Sequence, residues 1–213
     1  MNNIDLEELK KELELKILNA NVNTDMLIGR LKFMDLKSKK SSQYVDSKYL
    51  PVYYHLSKFI RPEKIVQMGL DLGFSLCCFL KGCDTVKEIL AFQNKEKDDD
   101  SFYSERLAFS NIRDIKKDVS LYFHRGKIFD EVFESYLNLK KWDCFFIKEK
   151  YGKFDAAKEE LDISWNHLND DGFIILDGII HPKLNKLFKN FCKIKNVQGI
   201  ELKTRYGLGI IRK

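Results

Sequence analysis

The stretch of sequence that decides the fold is Lys64-Ile65-Val66-Gln67-Met68-Gly69-Leu70-Asp71-Leu72-Gly73-Phe74-Ser75. It begins with a short apolar run, continues with two glycines four positions apart, and leads into the apolar segment 74–81. A continuous apolar run is typical of a strand buried on both faces, and glycines permit a tight turn with close backbone approach to a ligand. The stretch therefore predicts a strand, a glycine turn and a helix.

The same alternation continues to the end of the chain. Apolar runs predict further strands at 88–93, 119–124, 142–147 and 173–177. The intervening segments predict helices at 74–81, 102–114, 155–168 and 182–194, with one more ending at 138. Two last strands, 199–202 and 208–211, have a short link that predicts an antiparallel hairpin at the sheet edge. Together these elements predict a doubly wound α/β fold with a seven-stranded, mostly parallel sheet.

The first 48 residues differ from the rest. One apolar stripe at helical spacing is formed by Leu6, Leu9, Leu13, Ile17 and Ala20. We interpret 1–48 as an N-terminal helical extension with a connector, and 49–213 as the α/β domain. The domain is expected to begin with a helix at 50–60, which Pro62 stops. The stripe fits two alternatives: a helix packed on its own domain, or a helix that pairs two subunits.

Composition limits the class of protein. The chain has 213 residues, 44% of them hydrophobic, and a net charge of +5 from 37 basic and 32 acidic residues. This length suits one α/β domain with a short appendage. No apolar run approaches the roughly 18 residues of a membrane-spanning helix, and the start carries no secretory pattern, so we expect a cytoplasmic protein. Because the charges nearly balance, nucleic acid is not an expected partner.

The five cysteines are odd in number and lack the paired spacing of a zinc site. We therefore expect reduced thiols, mostly buried.

The glycine turn excludes two common ligands. A nucleotide phosphate loop requires G-x-x-x-x-G-K-[ST], which this sequence lacks. A dinucleotide fingerprint requires a second glycine where Asp71 stands, and an acid there repels a pyrophosphate. ATP and NAD are therefore not expected ligands.

Several segments, taken in order, carry a family resemblance. They are Tyr49-Leu50-Pro51, the Gly69 to Ser75 loop, Phe123-His124-Arg125-Gly126, His167 to Ile175, and Arg205 to Ile210. Their order over about residues 43–213 resembles the class I S-adenosylmethionine (SAM)-dependent methyltransferases, in particular the small O-methyltransferase-like branch. The resemblance implies a Rossmann-like methyltransferase fold, SAM as cofactor, and a small-molecule or glycan acceptor.

The resemblance also implies a cofactor pocket at the carboxyl ends of the first two strands. Its residues would be Gln67, Gly69, Asp71, Gly73, Phe74, Ser75, Gln93 and Asn94. The family usually has an acid at the position of Gln67 and another where Gln93 and Asn94 end the second strand. A neutral hydrogen bond contributes about 1 kcal/mol, against about 1.5–3 for one to a charged group. These departures therefore weaken the expected hold on SAM, for which Asp71 offers partial compensation.

No metal is expected in the site. Metal-dependent members carry an Asp-Gly-Asp-His-like stretch after the fourth strand, where this chain has Lys148-Glu149-Lys150-Tyr151. Two lysines at that place oppose a hard cation, which wants several oxygen ligands.

Methyl transfer is an in-line displacement, so alignment of the reactants does most of the work and a base helps to deprotonate the acceptor. The candidate catalytic residues near strand carboxyl ends are His124, Glu149, Tyr151 and Asp177.

Two hypotheses remain open from the sequence. The first is a metal-independent SAM-dependent methyltransferase. The second is a catalytically degenerate protein of the same fold, a pseudoenzyme that acts as a binding or assembly subunit. In the second case the N-terminal helix would hold a partner or a second copy of the chain.

Overall fold

The computed structural model describes residues 5–18, 50–70, 73–94, 101–126, 130–148, 154–204 and 206–213. Three of the predicted site residues, Asp71, Glu149 and Tyr151, lie outside the described residues, as does the side chain of Asn94. The predicted division between residues 48 and 49 also falls outside them.

A seven-stranded sheet forms the centre of the molecule. Its strands are β1 (Lys64–Met68), β2 (Glu88–Asn94), β3 (Ser120–Gly126), β4 (Trp142–Lys148), β5 (Leu168–Asp177), β6 (Gly199–Leu202) and β7 (Leu208–Arg212). Their order is β3-β2-β1-β4-β5-β7-β6, with β1 to β5 parallel and β7 antiparallel to both of its neighbours. This confirms the predicted sheet and terminal hairpin. The order reverses between β1 and β4, so a crevice is expected at their carboxyl ends.

Seven helices occur in the described part of the chain. They are α1 (Leu6–Leu18), α2 (Leu50–Ile60), α3 (Phe74–Gly82), α4 (Ser101–Ile115), α5 (Glu131–Asn138), α6 (Phe154–His167) and α7 (Pro182–Lys195). Each helix whose two ends were predicted within the α/β region agrees at both to within one residue.

The largest error in a predicted strand boundary lies at the start of β5. β5 begins at Leu168 rather than at Phe173. Leu168 pairs with Trp142, and the register shifts between Trp142 and Cys144, so 169–172 form an irregular extension of the strand. Asp171 lies in this extension at φ 66°. The Asn-Asp-Asp-Gly composition, which is typical of a turn, concealed this pairing.

Helices cover both faces of the sheet. On one face, buried side chains of α1 to α4 pack together with those of β1, and Leu56, Phe79 and Ala108 are examples. On the other face α5, α6 and α7 contribute buried residues such as Phe133, Leu161 and Phe188. This arrangement is the three-layer α/β sandwich expected of a doubly wound sheet.

The N-terminal helix packs on its own domain. Leu6, Leu9 and Leu13 are at most 4% exposed and share a core with Ile200 and Leu202 of β6. These three residues of the apolar stripe therefore pack as in the first alternative, and pairing of subunits through this helix stays a prediction.

A single carboxylate fastens the amino ends of β1 and β4. Asp143 Oδ2 accepts hydrogen bonds from the backbone N–H groups of Glu63 and Lys64, both at 2.9 Å. Asp143 Oδ1 accepts from Asn169 Nδ2 at 2.5 Å, which joins β5 to the same point. Because Asp143 is 7% exposed, its charge is stabilised by these donors rather than by bulk water.

The thiols are free, as predicted, and four of the five are buried. Burial raises the pKa of Cys78 to about 12, so this thiol stays protonated and unreactive at neutral pH. No helix among the described segments is long and apolar enough to cross a membrane.

Candidate functional site

The turn between β1 and α3 has the geometry that its two glycines predict. Gly69 and Gly73 lie at φ 77° and 73°, in the left-handed region that side chains disfavour. Gly69 N donates to Phe92 O at 3.0 Å, and Gly73 N donates to Leu70 O at 2.8 Å. A Cβ at Gly69 would lie 2.7 Å from the carbonyl oxygen of Lys148. The backbone of β1 therefore passes close to the end of β4, and only glycine fits there.

Gln67 lies on β1 just before this turn and is 3% exposed. Its Nε2 donates to the carbonyl oxygens of Gly69, at 3.1 Å, and Met68, at 3.4 Å, which fixes the orientation of the amide. The other end of the amide, Oε1, is buried and has no hydrogen-bond partner among the described residues. An unsatisfied buried acceptor costs about 1–3 kcal/mol, so this atom is poised for a donor from a ligand.

A second such oxygen lies on the other side of the turn. Ser75 is 7% exposed, and its Oγ has no partner within the described segments. Ser75 is the second residue of α3, where helix N–H groups lack intrahelical acceptors and the helix dipole favours an anion. Phe74, beside it, is buried at 4% exposure. The turn is thus flanked by an acceptor on Gln67 and by a hydroxyl at the positive end of a helix.

Gln93 forms a hydrogen bond within the protein, whereas the resemblance implies that this position accepts hydrogen bonds from the ribose of SAM. Its Oε1 accepts from Leu70 N at 2.9 Å, which ties β2 to the glycine turn, and the side chain is 2% exposed. The adjacent Asn94 pairs through its backbone register with Gly126 of β3. Gln93 therefore contributes first to the shape of the turn.

A row of polar residues crosses the carboxyl edge of the sheet. Gln93 is in register with Arg125, and Lys148 with Asp177. We call Arg125, Gln93, Lys148 and Asp177 the polar row. Alternation along the strands places it on the face that α2, α3 and α4 cover, the same face as Gln67. Arg125 Nε lies 3.6 Å from Glu105 Oε1, a carboxylate of α4 that is buried at 3% exposure.

His124 lies on the opposite face of the sheet. Its ring stacks against Phe92 and Phe133, with centroids 5.8 and 6.0 Å away and interplanar angles of 22° in each case. Both phenylalanines belong to the core under α5 to α7. His124 Nε2 lies 2.7 Å from Asp130 Oδ2, and Asp130 Oδ1 accepts from Phe133 N at 2.9 Å as the N-cap of α5. The histidine is therefore held by a carboxylate and two rings.

The structure does not bring His124 and Asp177 together. β3 and β5 are separated by four strand intervals, so the two residues lie about 19 Å apart at the usual spacing of about 4.8 Å. Their side chains also leave opposite faces of the sheet. One reacting centre cannot contain both, and Asp177, buried at 6% exposure beside Lys148, is the one near the crevice.

Two contacts of the site were missed from the sequence. Asp130 could have been found as the N-cap six residues after His124, because an acid before an apolar helical segment is an N-terminal signal. Glu105 lies within a helix among other charges, and nothing in its spacing distinguishes it from a solvated residue. In the described residues no group of three or more His, Cys, Asp or Glu side chains could hold a metal ion.

Comparison with solved structures identifies the fold. A SAH-bound methyltransferase from Podospora anserina is 14% identical, with TM-score 0.68, and the match covers 100% of this chain and 96% of that one. A candidate caffeoyl-CoA O-methyltransferase from Staphylococcus aureus is 17% identical, with TM-score 0.62 and coverage of 98% and 100%. An O-methyltransferase from Bacillus cereus in complex with SAH is 12% identical, with TM-score 0.58 and coverage of 97% and 99%. No protein-family model and no curated protein sequence matches the chain. The chain has the class I methyltransferase fold, as its sequence resemblance predicts.

Proposed function

We propose that the protein binds SAM at the carboxyl ends of β1 to β3 and transfers its methyl group, without a metal ion, to a small-molecule or sugar-like acceptor beside β4 and β5. The observation that carries the proposal is a pair of buried oxygens, Gln67 Oε1 and Ser75 Oγ, which flank the glycine turn and have no partner among the described residues.

The amino-acid end of SAM carries an ammonium group and a carboxylate, and each can form a hydrogen bond with one of these two oxygens. Gln67 Oε1 would accept a hydrogen bond from the ammonium group. Ser75 Oγ and the first N–H groups of α3 would donate to the carboxylate, which the helix dipole also favours. Side chains at Gly69 and Gly73 would meet Lys148 and Ala108, so the two glycines let the turn pack closely against β4 and α4. The residues present therefore fit the cofactor at this end.

The adenosine end is assigned to the other side of the turn. Gln93 and the backbone of Asn94 lie at the end of β2, where the resemblance places the ribose hydroxyls. The sequence prediction for Asp71 as a further contact stays a prediction.

SAM, when bound, supplies an electrophilic methyl group on a positively charged sulfur. The chain's own contribution is to hold the acceptor in line and to take its proton. We assign to Asp177 the role of accepting the proton from the methyl acceptor, because this carboxylate is buried at the carboxyl end of β5 on the face shared with Gln67. Lys148 beside it would stabilise the carboxylate before it acts. Glu149 and Tyr151, which follow β4 in the sequence, stay candidates for orienting the acceptor. His124, across the sheet, is assigned no part in the proton transfer.

The degenerate hypothesis is the second candidate function, and one observation favours it. Gln93 Oε1 already bonds to Leu70 N, and neutral Gln67 stands where the resemblance leads one to expect an acid. A protein that had lost SAM binding would retain the fold and act through a protein surface.

Calorimetric titration with SAM and with S-adenosylhomocysteine separates the two. Micromolar binding of either ligand, with no binding of ATP or NAD, supports the enzyme. No heat at millimolar ligand contradicts it and favours the binding subunit.

Catalysis is tested separately with labelled SAM and a panel of hydroxylated acceptors in the presence of a chelator. Asp177→Asn is expected to keep SAM binding and to lower the transfer rate by about 10²-fold or more, as removal of a general base does. Asp170→Asn is the matched control, because the Asp170 side chain is fully exposed. Equal rates for the two variants would remove Asp177 from the mechanism.

A further inference from the structure

A buried carboxylate on α4 has no assigned role in the proposed methyl transfer. Glu105 is 3% exposed, and its Oε1 lies 3.6 Å from Nε of Arg125, near the end of β3. A buried ion pair contributes little net stability, because the cost of removing two charges from water offsets their attraction. Stability alone therefore does not account for a carboxylate at this place.

Two neighbours of Glu105 on α4 fix its position. Ala108 packs against the glycine turn, where a Cβ at Gly73 would lie 3.1 Å from the Ala108 Cβ. Phe109 packs edge-to-face on Phe123 of β3, with ring centroids 5.6 Å apart. Residues three and four positions apart are neighbours on a helix surface, so Glu105 lies beside both, one turn nearer the start of α4.

The start of α4 lies at the carboxyl edge of the sheet. α4 begins at Ser101, shortly after β2 ends at Asn94, so its first turns lie near the strand ends. Glu105 is in these first turns, with the glycine turn on one side and the end of β3 on the other. It is therefore placed at the crevice rather than over the middle of the sheet.

This position lies away from the group proposed to bind the ammonium of SAM. Gln67 is on β1, two strand intervals from β3, or about 10 Å at the usual spacing of about 4.8 Å. Arg125, which Glu105 contacts, is in register with Gln93 at the end of β2. Glu105 is thus on the side of the site assigned to the nucleoside.

We propose that Glu105 binds the nucleoside part of SAM by accepting hydrogen bonds from its ribose hydroxyls, and that Arg125 orients the carboxylate for this contact. This assignment rests on the proposed binding of SAM at the glycine turn. An ionised carboxylate only accepts hydrogen bonds, and its two oxygens suit two neighbouring hydroxyls. Hydrogen bonds to an ionised acceptor are also stronger than those to a neutral one. Glu105 would supply the charged contact in a site where Gln67, Ser75 and Gln93 are neutral.

The probe is S-adenosylhomocysteine, compared with its 2′-deoxy and 3′-deoxy analogues by calorimetric titration. The parent protein should bind each deoxy analogue about tenfold more weakly or worse, the value of one hydrogen bond to a charged group. Glu105→Gln keeps the size of the side chain and removes its charge. S-adenosylhomocysteine should then bind about fivefold to tenfold more weakly, and its advantage over the analogues should fall to about threefold.

Asp114→Asn is the matched control. It removes one carboxylate charge from the same helix at an exposed position. The affinities for all three ligands should stay within about twofold of those of the parent protein, because exposed charges are screened.

Arg125 is tested as a positioning residue. Arg125→Gln removes the cation beside Glu105 and should reduce the preference for S-adenosylhomocysteine over its deoxy analogues. Arg125→Lys keeps the charge and should retain more of that preference. Equal preferences in the two variants would remove Arg125 from the assignment.

Three results would overturn the role of Glu105 while the proposed function stands. They are a parent protein that binds S-adenosylhomocysteine and both analogues equally, a Glu105→Gln variant that keeps the full preference, and a variant that binds all three ligands more weakly by the same factor. The last would make Glu105 a structural residue.

Failure of the proposed function would give a different result. A parent protein that binds none of the three ligands would contradict SAM binding itself, and the role of Glu105 with it. The comparison of ligands on the parent protein needs no variant, so it decides even if circular dichroism shows that Glu105→Gln does not fold.

Discussion

The two ends of β1 treat buried polar groups in opposite ways. At the amino end, both oxygens of Asp143 are occupied, by Glu63 N, Lys64 N and Asn169 Nδ2. At the carboxyl end, Gln67 Oε1 and Ser75 Oγ are buried and have no partner within the described residues.

This difference separates a structural site from a ligand site on the same strand. A protein gains stability when each buried acceptor has a donor, and loses about 1–3 kcal/mol for each one that has none. Asp143 thus stabilises the sheet. The carboxyl end of β1 is less stable for its unsatisfied oxygens, but these atoms can form hydrogen bonds with a ligand. The comparison predicts that substitutions at the amino end affect folding, and those at the carboxyl end affect binding.

The largest effect is expected at Asp143. Asp143→Ala leaves two backbone N–H groups and one amide without their acceptor, and should lower the free energy of unfolding by about 3–5 kcal/mol. Chemical denaturation with urea measures it. Asp143→Asn keeps one carbonyl oxygen and should lose roughly half as much. If Asp143→Ala cost less than 1 kcal/mol, the contrast between the two ends would fail.

Substitution of Gly69 is expected to have the next largest effect, because this residue contributes both to stability and to the SAM site. Gly69→Ala places a Cβ at φ 77° and 2.7 Å from the Lys148 carbonyl oxygen. We expect a loss of about 2–3 kcal/mol of stability from the strained conformation and the displaced β4, together with loss of SAM binding.

Gly178→Ala is the matched control for this change. Gly178 has a comparable φ of 95°, but its Cβ would meet Leu184 at an ordinary 3.5 Å. It should show the conformational cost of about 1 kcal/mol alone. Equal losses in the two variants would mean that the close approach to β4 contributes nothing.

The sequence predicts those features that depend on interactions between residues close together in the chain. The strands, the helices and the terminal hairpin follow from apolar periodicity and short links, which are local properties of the chain. The irregular start of β5 was missed, because its pairing of Leu168 with Trp142 is a long-range contact hidden behind turn-forming residues.

The geometry of the site was harder to predict than the fold, because its contacts join residues that are far apart in the sequence. The residue types around the glycine turn indicated where to look, yet Gln93 bonding to Leu70 N could not be foreseen from a separation of 23 residues. His124 and Asp177 each end a predicted strand, and strand alternation alone does not give the order that separates them. Only the folded sheet assigns them to opposite faces.

Two substitutions of Gln67 by residues of similar volume test the carboxyl end of β1. Gln67→Glu places a charge beside the proposed ammonium position, and a hydrogen bond to a charged group is worth about 1 kcal/mol more than a neutral one. SAM affinity should therefore rise about fivefold. The same change replaces the Nε2 donor by an oxygen that faces the Gly69 and Met68 carbonyl oxygens, so it should also lower the free energy of unfolding. Gln67→Leu should weaken SAM affinity by a similar factor.

The stability of these variants decides whether Gln67 is a ligand residue. Gln67→Leu removes an oxygen that has no partner among the described residues, but also the 3.1 Å bond to Gly69 O, so the free energy of unfolding should change by less than about 1 kcal/mol. A loss as large as that of Asp143→Ala would make Gln67 a structural residue and erase the contrast.

Ser75→Ala is expected to cause the smallest loss of stability and gives the most specific answer. The hydroxyl has no partner within the described part of the chain, so its removal should not lower the free energy of unfolding and should raise it by about 1 kcal/mol. SAM and S-adenosylhomocysteine should bind about tenfold more weakly or worse, the value of one hydrogen bond to a charged group. 5′-Methylthioadenosine, which lacks the amino-acid end, should bind the variant and the parent protein equally well. Equal losses for all three ligands would mean that Ser75 supports the pocket in general. A loss confined to the two ligands that carry a carboxylate would assign the hydroxyl to that group, and would explain why Asp143 is fully satisfied while Ser75 has no partner among the described residues.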